Sequence, residues 1–144
     1  MRFDIFDQLS NKQVFTASAV STNSIKRKNL KKREDINDMM GLAIFIDAVT
    51  TAPTTSLTVE LIQADDGALT TNVQSLKTLN IPLADIKAGN GFFLELSKMT
   101  KEYFGARVVP TGGTPSVTMS VYYGSEDDVA NYASFQTPYT VANN

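Results

Sequence analysis

The chain has no cysteine, no histidine and no tryptophan among its 144 residues. Each absence closes a class of chemistry. Without cysteine there is no disulfide, no thiolate nucleophile and no thiolate metal cluster; without histidine there is no Ser-His-Asp triad and no imidazole-bound zinc. Catalysis would fall to carboxylates, Lys, Tyr and Ser, and no spacing among these marks a site. The expectation is a protein with no catalytic residues, no cofactor and no metal. Long apolar runs are missing as well, since no stretch approaches the roughly 20 residues that cross a bilayer. The N-terminal Met1-Arg2-Phe3-Asp4-Ile5-Phe6-Asp7 sets carboxylates inside its apolar stretch and so lacks the apolar core of a secretory signal. A soluble chain, neither exported nor membrane-bound, is expected.

What the chain does have is strand-forming sequence. A hydrophobic fraction of 42% with 19% charged residues is ordinary for a globular chain, and this length supports one core without covalent staples. Residues 13–20 run Gln-Val-Phe-Thr-Ala-Ser-Ala-Val and read as one half-buried strand. Residues 41–49 are nearly continuously apolar and rich in β-formers, which predicts a central strand covered on both faces. Residues 56–63 alternate, with Leu57, Val59 and Leu61 on one side. Strands follow at 91–96, 103–109 and 116–123, the last placing Tyr122 and Tyr123 on opposite faces. Between the last two strands, Pro110-Thr111-Gly112-Gly113-Thr114-Pro115 reads as a hairpin loop. Asp65-Asp66-Gly67 reads as a turn, a better account of its carboxylates than a cation site; the same holds for Glu126, Asp127 and Asp128. Short helical turns fit only at 36–40, 75–78 and 100–103. The pattern predicts an all-β, antiparallel sandwich or barrel over residues 1–125, followed by an extended C-terminal tail at 126–144.

The near-neutral net charge of −2 hides a division. Residues 26–33 hold six basic side chains in eight positions, Lys26, Arg27, Lys28, Lys31, Lys32 and Arg33, which leaves the remainder of the chain at −8. Such a run serves as an electrostatic arm toward an acidic partner, or is simply a solvated loop. No aromatic residues or groove-reading helix accompany it, so nucleic acid is not expected as the partner. Outside the clear strands, Phe3, Phe6, Tyr132, Phe135 and Tyr139 are either anchors for a partner surface or contacts of chain ends folded back on their own sandwich.

The segment Asp4-x-Phe6-x-x-Leu9-Ser10-x-x-Gln13-x-x-Thr16-Ala17-x-Ala19-x-Ser21-Thr22-Asn23 resembles the start of the small capsid cement, or head-stabilising, proteins of tailed phages, the type first named from a short-tailed Bordetella phage. Glu102-Tyr103-Phe104-x-x-Arg107, followed by Gly112-Gly113-Thr114-Pro115 and a closing strand, resembles that family's final hairpin. The resemblance implies a jelly-roll-like β-sandwich that sits on the outside of an icosahedral capsid, clamps neighbouring major capsid proteins and forms a homo-oligomer, a dimer before a trimer. It implies a virion protein made in the bacterial host cytoplasm. The basic run and the tail depart from the family pattern. The competing reading is a soluble jelly-roll module for carbohydrate or a host surface.

Overall fold

A computed structural model of the chain describes residues 8–27, 40–125 and 140–141. Among these, ten strands form: β1 (Gln8–Phe15), β2 (Ala19–Val20), β3 (Ile25–Lys26), β4 (Met40–Thr51), β5 (Ser56–Ala64), β6 (Gln74–Ile81), β7 (Asn90–Glu95), β8 (Tyr103–Thr111), β9 (Ser116–Ser125) and β10 (Thr140–Val141). One sheet runs β1-β9-β4-β7-β10; the other runs β2-β8-β5-β6, with β3 also paired to β8. The antiparallel pairs are nested, β5 with β6 innermost, then β4 with β7, then β2 and β3 with β8, and β1 with β9 outermost. This nesting, wound over two facing sheets, is the jelly-roll arrangement.

Period-two side-chain alternation builds the core. Leu42, Ile44 and Ile46 of β4, Phe92 and Leu94 of β7, and Val117, Met119, Val121 and Tyr123 of β9 face inward from the first sheet. Leu57, Val59 and Leu61 of β5 and Phe104, Ala106 and Val108 of β8 face them from the second, all within one buried cluster. Phe104 meets Tyr123 edge-on across the sheets, with ring centroids 5.9 Å apart. The run at 41–49 is indeed a central strand: Gly41 through Ile46 are all buried, with Ala43 and Phe45 packed on the outer face against Phe93 and Tyr122. Tyr122 and Tyr123 take opposite faces, as alternation requires.

Four expectations need correction. Residues 13–20 are not one strand, because a bend at 16–18 carries the chain from β1 in one sheet to β2 in the other. Gln13 organises that corner: its Nε2 donates to the Val20 carbonyl (3.0 Å), and its Oε1 accepts from Ser10 Oγ (2.7 Å), Thr22 N (3.0 Å) and Thr22 Oγ1 (2.9 Å). The loop at 110–115 is not a hairpin, because β8 and β9 belong to different sheets and face each other across the core. Gly112, at φ +95°, turns its Cα toward Thr54 and Thr55 where a Cβ would clash, and Thr55 N donates to the Thr111 carbonyl (2.9 Å). The loop is thus stitched to the β4–β5 connection, which crosses between sheets at the same end. Residues 75–78 are extended within β6 rather than helical. At 100–103 there is a bend leading into β8, and a 3-10 turn forms instead at Leu83–Asp85. The expected turn at 36–40 lies outside the described residues except for Met40, which opens β4. No helix among the described residues is long and apolar enough to cross a membrane.

At the outer edge, β1 bulges between Ser10 and Gln13, with Lys12 at φ +49°. The bulged amide of Lys12 donates to Ser120 Oγ (3.0 Å), which donates to Asp47 Oδ2 (2.6 Å). Burial pushes the Asp47 carboxyl above its ordinary range, against the lowering effects of the Ser120 hydrogen bond and the Lys12 charge. A carboxyl raised in the folded state holds its proton more tightly there than in the unfolded chain. Its ionised form therefore subtracts stability above the folded pKa, and the penalty fades as pH falls toward the unfolded value. Asp47→Asn is expected to raise the thermal midpoint at neutral pH, with the gain disappearing on acidification; melting curves across pH 3–7 check this. At Gly41, an added Cβ would collide with the Leu94 carbonyl and approach Glu95 Cα to 2.9 Å, both main-chain atoms that cannot step aside. Gly41→Ala is expected to cost about 3 kcal/mol, whereas Gly67→Ala, which meets only ordinary contacts, should stay within about 0.5 kcal/mol in urea unfolding.

Candidate partner-binding surface

The first two residues of the basic run, Lys26 and Arg27, are held against the sandwich at β3. Ile25 and Lys26 pair with Phe104 and Tyr103 of β8. Lys26 Nζ lies 3.1 Å from Glu102 Oε1 and 5.7 Å from the Tyr103 ring centroid. Arg27 donates its backbone amide to the Glu102 carbonyl (2.7 Å) and its Nε to the Lys101 carbonyl (3.0 Å). Lys28, Lys31, Lys32, Arg33, Phe3, Phe6, Tyr132, Phe135 and Tyr139 lie outside the described residues. The described end of the tail, Thr140–Val141, runs parallel to β7 on the chain's own sheet.

Beside Arg27 opens a cleft of about 680 Å³ lined by Arg27, Asp65, Thr100, Lys101 and Glu102. Two loops form its walls. In the β5–β6 loop, Asp66 Oδ1 accepts from the amides of Thr70 (2.9 Å) and Thr71 (2.8 Å), while its Oδ2 accepts from Thr70 Oγ1 (2.6 Å). These bonds hold its carboxyl below the usual carboxylate range. The expected turn is therefore real, and an aspartate bonding its own backbone is its cause. Leu69, at φ +58°, tucks against Ile62 and Ala64 on the outside of the second sheet. Ser24 Oγ donates to the Gly67 carbonyl (2.7 Å), tying this loop to the approach to β3.

The second wall is set by one buried amide. Gln63 is 1% exposed; its Oε1 accepts from the amides of Thr100 (2.9 Å) and Lys101 (3.1 Å), and its Nε2 donates to Gln74 Oε1 (2.6 Å) and Thr100 Oγ1 (3.2 Å). Both ends of the amide are satisfied, as burial demands. Lys101 Nζ then reaches Asp65 Oδ1 at 3.2 Å, and Asn72 donates to Asp65 Oδ2 at 2.7 Å. Asn72 first and Lys101 second hold Asp65 below its usual range. On the adjoining outer face of the second sheet, Arg107 Nε meets Glu60 Oε2 at 2.6 Å, which lowers the Glu60 carboxyl and raises the Arg107 guanidinium despite partial burial.

Of these residues, only Lys26 and Arg27 stand out in the sequence as site candidates. Asp65 reads as a turn, and Gln63, Thr100, Lys101 and Glu102 carry no motif that marks them. A glutamine following the apolar pair Leu61 and Ile62 at the end of β5 is the one signal that points there, since a buried amide needs partners and those partners define a fixed loop. Gln63→Leu leaves the Thr100 and Lys101 amides without their acceptor. It is expected to cost about 2 kcal/mol or more and to speed hydrogen exchange at those two amides selectively, which exchange measured by NMR checks.

No group of three or more acidic side chains placed to hold a metal ion occurs among the described residues. Comparison with curated proteins finds no match. A model of the Bbp16 family, in contrast, matches residues 9–135, most of the chain, including β2 to β9 whole and β1 except its first residue. The chain therefore belongs to the Bbp16 family, whose name points to a Bordetella phage protein.

Proposed function

We propose that this protein is a structural virion component that binds the outer surface of an icosahedral phage capsid and clamps neighbouring major capsid proteins. The observation that carries this reading is the family match over residues 9–135, taken with the resemblance of the opening and closing segments to capsid cement proteins. The physics asked of such a protein is modest. A body that binds two shell subunits in their assembled arrangement, and not apart, adds its binding free energy to shell cohesion by mass action. A homo-oligomer, a dimer in the first instance, multiplies that through effective concentration. Such a role needs a rigid scaffold with oriented contacts rather than a reaction centre, cofactor, membrane or nucleic acid.

The carbohydrate-binding alternative wants exposed rings for sugars to stack on. Tyr123 is spent in the core and Tyr122 packs against Phe45 at 6.2 Å between ring centroids, so this pair supplies no such platform. In the clamp reading, the basic run at 26–33 faces acidic shell residues and supplies steering and register more than raw affinity. Replacing Lys28, Lys31, Lys32 and Arg33 together by Ser is expected to lower occupancy on purified shells and to flatten its salt dependence, both read by co-sedimentation at low and high salt. Unchanged binding at both would overturn the role of the run, and absence of wild-type binding would overturn the function.

A further inference from the structure

The corner beside β3 has an uneven charge arrangement. Lys26 is matched by Glu102 and Lys101 by Asp65, while Asp66 spends both oxygens on its own turn. Of the three cations at this corner, Arg27 is the one without a carboxylate partner among the described residues. Its Nε and backbone amide are fixed to the carbonyls of Lys101 and Glu102, and those residues sit in a segment that Gln63 clamps from beneath. The guanidinium is consequently held through its Nε at the edge of a cleft, and its terminal amino groups have no hydrogen-bond partner among the described residues. A guanidinium whose Nε is already anchored loses little freedom when its terminal nitrogens take a carboxylate, and that pairing is the one its planar fork fits best.

We infer that this cleft is a receptor for a single carboxylate side chain projecting from the shell protein, gripped by Arg27 with Lys101 alongside. The inference rests on the capsid-binding reading and gives it a specific contact. A polyanion such as nucleic acid fits less well, because Asp65 and Glu102 line the same cleft and would repel a second and third phosphate. An isolated Asp or Glu meets the arginine without crowding them. The contact differs from that of the basic run as a whole, since it depends on fork geometry and not merely on positive charge.

The test uses the full-length protein, Arg27→Gln and Arg27→Lys, each titrated onto purified shells lacking it, with thermal midpoints measured to confirm folding. Arg27→Gln is expected to weaken shell binding by at least about tenfold, as loss of one partner of a charge-assisted contact does. Arg27→Lys should recover only part of that loss. Binding by Arg27→Gln equal to wild type would overturn the inference while leaving capsid binding intact. Full recovery by Arg27→Lys would also overturn it, since charge without a fork would then suffice. If the folded protein instead bound a short DNA duplex in a manner abolished by Arg27→Gln, the ligand class would be wrong. Failure of the wild type to bind shells would overturn this inference and the function beneath it together.

Discussion

The molecule is arranged around a strand that cannot meet water on either side. From Gly41 to Ile46, β4 is buried residue after residue, so it must lie inside a sheet, with a second layer against one face and its own side-chain cluster on the other. β9 and β7 flank it and satisfy its backbone. Once β4 is central, the apolar rows of β5 and β8 must come from another sheet to cover Leu42, Ile44 and Ile46. The chain then has to change sheets repeatedly, and each change needs a corner. The corners are where polar groups are paired: the Gln13 side chain between β1 and β2, the backbone amides of Thr54 and Thr55 on the Gly112 and Thr111 carbonyls at one end, and the Gln63 side chain beneath the approach to β8. A sandwich with an apolar interior gains burial over large areas, but it is these hydrogen-bonded corners that allow only one winding.

That division explains which parts of the fold the sequence discloses. Strands with a buried row announce themselves by period two, and the both-faces-buried strand by its unbroken apolar run. The bend at 16–18 is hidden because Thr-Ala-Ser continues the alternation on either side of it, so two strands of different sheets read as one. The loop at 110–115 is misread for a related reason. Paired prolines and glycines say that the chain turns, and the equal strands on each side fit a hairpin as well as a crossover. Only the identity of the neighbours of β8 and β9 decides, and that is long-range information. β6 is misread as a helical turn at 75–78 because an edge strand with Ser75, Lys77, Thr78 and Asn80 among its residues is too polar to show a clean alternation.

The candidate cleft is illegible for the same physical cause, taken further. Arg27, Asp65 and Lys101 are far apart along the chain and come together only because β3, the β5–β6 loop and the entry to β8 share a corner. The resemblance motif fares better than the site. Ser10, Gln13, Ser21, Thr22 and Asn23 turn out to be joined by hydrogen bonds around the first corner, so what makes the opening segment recognisable is the architecture of the winding rather than any binding chemistry. The resemblance in the opening segment thus rests on residues that build the scaffold, and the basic run begins beside them, at Lys26 and Arg27.

The charge division acquires its meaning at that boundary. Exposed ion pairs such as Lys26 with Glu102 and Lys101 with Asp65 contribute little to stability, about 0–1 kcal/mol each, so their arrangement is poorly explained as a device for holding the fold together. They pair the two lysines of this corner and leave Arg27, among its described residues, as the oriented positive group without a carboxylate. A diffuse cluster of six cations would attract any acidic surface; a fixed one selects the geometry of approach. In the proposed role on a lattice of identical sites, selection of geometry would matter more than the strength of any single contact, because every additional copy bound in register would repeat the same small free energy across the lattice. A chain without cysteine, histidine or tryptophan loses nothing in that proposed role: alternating apolar rows build the scaffold, and one arginine framed by carbonyls would give it direction.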